Sequence, residues 1–325
     1  MARRPGNSLR AAAADAFLTT ADMVRVLALR AAGARSEHVV TRWPARASLV
    51  PRESGKIHVL DIPGQGKLPP VLLLHGISAS GADFGSLLRH LRRWTQRIIC
   101  PDLPGHGLSS LPPSDATATD IFDAVRQAVD SVLDQPAVVV GNSLGGAVAL
   151  RYALHRPERT AGLVLLSPAG APCTRGELDT LFDVLRVNDV ARAREFMRRV
   201  LPSAPWTLEL FARGARIRLS RPAVRRLIDE ANPSDLLSPA ELASLAVPVM
   251  LIWGQQERLF PPSHHAFFKA HLPVHTRFEA PANFGHAPFL DRPADVAKLL
   301  REFCEELTSG TPLLPTMGAR IAAVG

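Results

Sequence analysis

The sequence predicts an α/β protein, a doubly wound and mostly parallel sheet with a helical lid inserted between two of its strands. Three observations lead there. From Lys56 onward, short apolar runs alternate with longer segments of helical periodicity, the order that a parallel sheet covered on both faces imposes. The alternation stops after Ser167 and resumes near Val247, and the stretch between, rich in Leu, Phe and Arg, reads as helical throughout. A hydrophobic fraction of 46% in 325 residues suits one sizeable core with an inserted lobe.

Residues 1–52 stand apart as a basic helical extension, because nine arginines face only Asp15, Asp22 and Glu37 there and most of the net charge of +8 collects in this segment. Phe17, Ala21, Val24, Leu27 and Ala31 recur at helical spacing and predict an amphipathic helix. Asp15, Asp22 and Arg25 break the apolar run that a secretory signal needs, so a cytoplasmic chain is expected. The helix has two readings, packing on the body or peripheral contact with a membrane surface. No run reaches the roughly 18 uncharged apolar residues that span a bilayer. The remaining chain is close to neutral and has no aromatic-interleaved basic stripe, which excludes nucleic acid and leaves a small-molecule substrate as the expected partner. Cys100, Cys173 and Cys304, odd in number and far apart, read as reduced core thiols.

Strands are predicted at Ile57 to Ile62, Val71 to Leu74, Arg97 to Cys100, Ala137 to Val140, Gly162 to Leu166, Val249 to Trp253 and Thr276 to Glu279. Helices fall at Leu87 to Leu91, Ile121 to Leu133, Ala147 to Leu154, His264 to His271 and Ala294 to Phe303. The core is thereby placed at residues 53–171 and 244–307 and the lid at 172–243. Gly310, Pro312, Pro315 and Gly318 mark 308–325 as a loosely ordered tail.

The chemistry is most legible in VVVGNSLGGAVAL, residues 138–150, where a β-branched run ends at Gly141-Asn142-Ser143-Leu144-Gly145 and an Ala-rich helix follows. A serine on so sharp a strand-to-helix turn sits in a strained backbone with its hydroxyl held above the sheet. The helix dipole and free N–H groups point at the same spot. In VLLLHGISAS, residues 71–80, the strand ends at His75-Gly76, after which the N–H of Ile77 can pair with that of Leu144 as oxyanion donors. His75, and Asp102 and His106 of the Pro- and Gly-rich PDLPGHGLS loop, read as structural groups that bond their own loops. Late in the chain, the loop after VMLIWG holds one carboxylate, Glu257, and FGHAPFLDRP places His286 before the last helix. The order Ser, acid, His is that of a nucleophile-elbow triad on an open α/β sheet.

In this order VLLLHG, PDLPGHGLS, GNSLGG, the WG-x-x-acid loop and FGHAPFLDRP resemble the α/β-hydrolase superfamily, over about residues 55–175 and 245–307. The resemblance implies Ser143 as nucleophile, His286 as base, Glu257 as triad acid and Ile77 and Leu144 as oxyanion donors. Glu257 stands where Asp is usual, and a lid carboxylate is the alternative acid. Serine at 143 argues against the epoxide hydrolases and haloalkane dehalogenases, which use Asp.

The expected activity is hydrolysis of a carboxylic ester through an acyl-enzyme, with no metal or cofactor, since neither a ligand cluster nor a G-x-G-x-x-G or G-x-x-x-x-G-K-[ST] loop is present. Leu181, Phe182, Phe196, Met197, Trp206 and Phe211 of the lid are candidates for an apolar substrate pocket, with packing of the lid on the body as the plainer alternative. The lid arginines Arg186, Arg194 and Arg218 read as a solvated helix face. The chain is also similar to carbon–carbon hydrolases of ring-fission products, which tend to have a Gly-rich segment after HG and a Trp after the catalytic His. Here stand ISASGADF and Ala287. An acyltransferase and a non-catalytic receptor on the same fold are the remaining alternatives.

Overall fold

The computed structural model describes residues 46–52, 55–112, 116–202, 208–231 and 235–309. The expected N-terminal helix, Trp206 and nearly all of the tail lie outside them. Eight strands form one sheet: β1 (Arg46–Arg52), β2 (Gly55–Pro63), β3 (Val71–Leu74), β4 (Arg97–Pro101), β5 (Ala137–Ser143), β6 (Thr160–Pro168), β7 (Val249–Ile252) and β8 (Arg277–Glu279). They lie in the order β1-β2-β4-β3-β5-β6-β7-β8. The β1–β2 and β2–β4 pairs are antiparallel and every pair from β4 to β8 is parallel.

The central strands are short β-branched or leucine runs because both faces of a parallel sheet are covered. Every residue of β3, β5 and β7 is buried. Alternate residues feed two cores: Leu73, Val140 and Leu166 pack on one face with Phe303, and Leu72, Val139 and Leu165 on the other with Tyr152 and Phe268. Helices α1 (Gly85–Leu91), α2 (Ala118–Val132) and α3 (Leu144–His155) connect the first half, and α9 (Pro262–His271) and α10 (Pro293–Ser309) the second. A reciprocal cap starts α2: the Thr117 hydroxyl accepts from Asp120 N, and the Asp120 carboxylate accepts from Thr117 N at 2.8 Å.

Between β6 and β7 the described chain is helical: α4 (Arg175–Leu185), α5 (Val190–Val200), α6 (Leu208–Leu219), α7 (Pro222–Asp229) and α8 (Pro239–Ala243). Phe196, Met197 and Val200 of α5 join the same apolar cluster as Leu73 and Phe303, so the insertion is packed onto the core. Among the described residues no helix is long and apolar enough to cross a membrane.

Two expectations are corrected. Arg46–Arg52, assigned to a helical extension ending at residue 52, is the edge strand of the sheet, paired from Arg46 opposite Asp61 to Arg52 opposite Gly55. A charge count cannot see this, because charged residues and a proline such as Pro51 are what an edge strand carries to block further pairing. Cys100 and Cys304 are buried free thiols, whereas Cys173 is only half-buried, on the segment that leads into the lid.

Candidate active site

Ser143 closes β5 and caps α3 with φ 54° and ψ −122°. A non-glycine residue in that region costs on the order of 1–3 kcal/mol and persists only where its surroundings over-determine it. Here a Cβ on Gly145 would collide with the Leu74 carbonyl, so the turn can be this tight only with glycine there. Ser143 is thereby presented to a cavity above the sheet. Gly76, one residue before Ile77, keeps the opposite wall low, since its Cβ would stand 3.1 Å from that of Ser143.

Leu144 is the first residue of α3, where the N–H groups have no partner within the helix. Ile77 follows β3 on a turn, lines the cavity, and its N–H makes no hydrogen bond within the described residues. The two expected oxyanion donors therefore flank Ser143 from the helix and from the β3 loop.

Glu257 lies in the loop after β7, bent back so that Oε1 accepts the N–H groups of Leu259 at 2.7 Å and Phe260 at 3.2 Å. Its Oε2 meets His286 Nδ1 at 2.8 Å, with both side chains almost fully buried. Against a carboxylate Nδ1 donates, which leaves Nε2 free to take a proton. Burial by itself would raise the Glu257 carboxyl. The charge and hydrogen bond of His286, with bonds from Ser167 and the Leu259 amide, overcome it and hold the pKa at about 2. Glu257 is thus an ionised partner that the loop places beside the imidazole, and its extra methylene is absorbed by this bend. Ser143 and His286 line one cavity.

Three neighbours that the sequence did not single out hold this arrangement. Asn142 Nδ2 donates to the Leu166 carbonyl at 3.0 Å and to the His286 carbonyl at 2.8 Å, tying the residue before the nucleophile to the histidine loop. Phe260 sets its ring edge-on to His286, centroids 5.0 Å apart, and Ser167 adds its bond to Glu257. Asn142 stands inside the GNSLGG motif, so its position was visible while its partner was not.

His75, Asp102 and His106 are structural. His75 Nδ1 donates to the Gly76 carbonyl and Nε2 accepts from Leu103 N, so its buried ring ties two loops together. Asp102 accepts from the N–H groups of Gly81 and Leu108, as a loop carboxylate does, and also pairs with His58 at 2.8 Å, a contact no local pattern announces. His106 Nδ1 bonds the Pro104 carbonyl within its own turn.

The cavity above Ser143 is open to solvent at its mouth. Phe196 and Phe211 line it as expected, with Met197, Val200, Leu259 and Phe289. Leu181 and Phe182 instead pack against the cores. Of the lid arginines, Arg186 pairs with Asp229 on the surface. Arg218 departs from the solvated-face reading: it points along the cavity-lining stripe of α6 and bonds Asp83.

A sequence model described as the alpha/beta hydrolase fold matches residues 69–293. A monoacylglycerol lipase of Bos taurus is 27% identical over 75% of this chain and 77% of its own length. A pimeloyl-[acyl-carrier protein] methyl ester esterase of Neisseria meningitidis is 29% identical over 72% of this chain and 93% of its own. Among solved structures, a 2-hydroxy-6-oxo-6-phenylhexa-2,4-dienoate hydrolase of Rhodococcus superposes with a TM-score of 0.68 at 24% identity, over 79% of this chain and 98% of that one. A membrane phospholipase A superposes with a TM-score of 0.72 at 22% identity, over 93% and 97%. At these identities the superpositions speak for the fold.

Proposed function

This chain belongs to the α/β-hydrolase family, and from that membership we propose that it is a serine hydrolase cleaving carboxylic esters of apolar acyl groups. The observation that carries the reading is the buried Glu257–His286 pair, 2.8 Å apart, opening onto the same cavity as a serine in strained backbone at the head of a helix. Serine is a poor nucleophile at neutral pH and needs a base beside it. His286 Nε2 takes the Ser143 proton as Oγ attacks the acyl carbon, while Glu257 fixes the tautomer and stabilises the imidazolium. The carbonyl oxygen becomes an anion between the N–H groups of Ile77 and Leu144. Collapse expels the alcohol, which leaves with the proton from His286. Water then repeats the sequence on the acyl-enzyme and releases the acid.

The apolar wall of Phe196, Met197, Phe211 and Phe289 favours a hydrocarbon acyl chain. The names of the two curated relatives, an acylglycerol lipase and a methyl ester esterase, point the same way. The test is pre-steady-state hydrolysis of p-nitrophenyl esters of increasing chain length. A burst of one nitrophenolate per chain, followed by slower turnover and lost in Ser143→Ala, is the expected result. Turnover without any dependence on Ser143 would sink the reading.

A further inference from the structure

The cavity wall has a second polar patch apart from Ser143 and His286. Asp83 lies in the short turn Gly81–Phe84 of the core and Arg218 on lid helix α6, and both line the cavity. Arg218 Nη1 donates to the two Asp83 oxygens at 2.9 and 2.8 Å, with the side chains 19% and 11% exposed. On α6, Phe211, Ala215 and Arg218 share the lining stripe, so the guanidinium continues a wall that is otherwise hydrocarbon along this helix.

The two partners are unequally satisfied. Asp83 Oδ2 also accepts from Ser80 N at 2.7 Å and from Ser80 Oγ at 3.0 Å, so the carboxylate is well supplied with donors. Arg218 engages one of its three nitrogens, and its Nε and Nη2 make no hydrogen bond within the described residues. A guanidinium offers five N–H donors in a fixed fork. The pair is therefore neutral in sum, yet it presents unused donors to an apolar cavity. A substrate oxygen without charge gains a hydrogen bond there and brings no charge to bury. A plain alkyl group displaces water and leaves the donors unpaired. A carboxylate meets Arg218 but also the Asp83 charge bound to it, and must shed its own hydration.

We propose that Arg218, held by Asp83, is a specificity residue that receives an uncharged oxygen of the substrate. The preferred substrates are then apolar acyl esters that carry a further hydroxyl, ether or ester oxygen, above plain alkyl esters and above half-esters with a free carboxylate. This rests on the ester-hydrolase reading of the same cavity and names its substrate class.

Two matched ester series test it, one varied at the far end of the acyl chain and one at the far end of the alcohol, each ending in methyl, methoxy, hydroxyl or carboxylate. Released acid is titrated with the purified full-length chain to give kcat/KM. In at least one series the methoxy or hydroxyl ester should exceed both methyl and carboxylate by about tenfold. Arg218→Met should bring the methoxy-to-methyl ratio below about twofold. Asp83→Asn, which leaves the guanidinium uncompensated, should raise the carboxylate ester relative to the methyl ester by about tenfold. Melting temperature and fluorophosphonate labelling establish that each variant is folded with a competent serine. Should a variant not fold, the wild-type panel still decides, since equal rates for all endings in both series overturn the proposal. So does a folded Arg218→Met enzyme that keeps the preference, or a folded Asp83→Asn enzyme that still rejects the carboxylate. A chain that hydrolyses none of the esters and is not labelled at Ser143 overturns the hydrolase reading itself.

Discussion

At the scale of single residues, a carboxylate buried beside an imidazole is decided by which state each group keeps. Glu257 stays ionised although burial opposes it, because His286, Ser167 and two loop amides converge on its oxygens. Glu257→Gln keeps the shape and exchanges a charged acceptor for a neutral amide. Turnover should fall by on the order of 10⁴, with KM little changed, because the lost interaction is strongest in the transition state. A folded variant within about tenfold of the parent would remove Glu257 from the mechanism and move the search to the lid carboxylates. Ser143, His286 and Glu257 were legible because each sits in a local pattern: a strand-to-helix turn, a glycine before a terminal helix, a lone carboxylate in a loop. The contacts that hold them were not. Asn142 reaches its partner 144 residues along the chain, Arg218 reaches Asp83 across 135 and His58 reaches Asp102 across 44. No spacing rule spans such separations, and only the folded sheet brings those residues together.

At the scale of elements, one helix of the lid does two jobs. Along α6, Phe211, Gly214, Ala215 and Arg218 line the cavity while Arg213, Arg216 and Ile217 are exposed. Phe211 is only half-buried, so Phe211→Ala should shift the preferred acyl chain length while lowering the melting temperature little. Phe196, at 6% exposure, belongs to the core cluster as well as to the wall, and its replacement by Ala should cost stability too, about 3–5 kcal/mol for a buried Phe. A chain-length profile under steady-state conditions, read beside a thermal melt, separates the two. Equal loss on every ester with Phe211→Ala would make this residue mere packing. The insertion was visible in the sequence because strand-like runs vanish between Ser167 and Val247. The central strands were visible because burial on both faces leaves unbroken apolar runs. Strand β1 was hidden because an edge strand tolerates the arginines that suggested an extension.

At the scale of the whole molecule, the buried titratable groups set how the fold responds to acid. Burial pushes His264 down to about 4 and His106 down to about 3, and the Nδ1 atom of His264 and the Nε2 atom of His106 have no hydrogen-bond partner among the described residues. Each takes up a proton near pH 6.5 once the chain unfolds, so the unfolded state binds more protons below that pH. Their stabilisation is complete above pH 6.5 and is lost as the pH falls toward 4 and 3. Glu257 and Asp102 act in the same direction lower down: burial opposes their charge, but paired histidines and loop amides hold both at about 2, so their contribution is present above about pH 4 and lost as the pH falls through 2. From these groups the melting temperature should therefore be flat only between about pH 7 and 8 and fall steadily below that range. His264→Leu should flatten the part between pH 6.5 and 4, and parallel profiles for variant and parent would show that this histidine carries none of it.

All of this chemistry turns on one hydroxyl. Activity-based labelling with a fluorophosphonate, followed by peptide mass mapping, asks whether Ser143 is the activated serine, because the probe reacts rapidly only with a serine that has a base beside it. One adduct per chain is expected, on the peptide that contains Ser143, and none on a folded Ser143→Ala variant. An adduct on a different serine, or equal labelling of parent and variant, would contradict it.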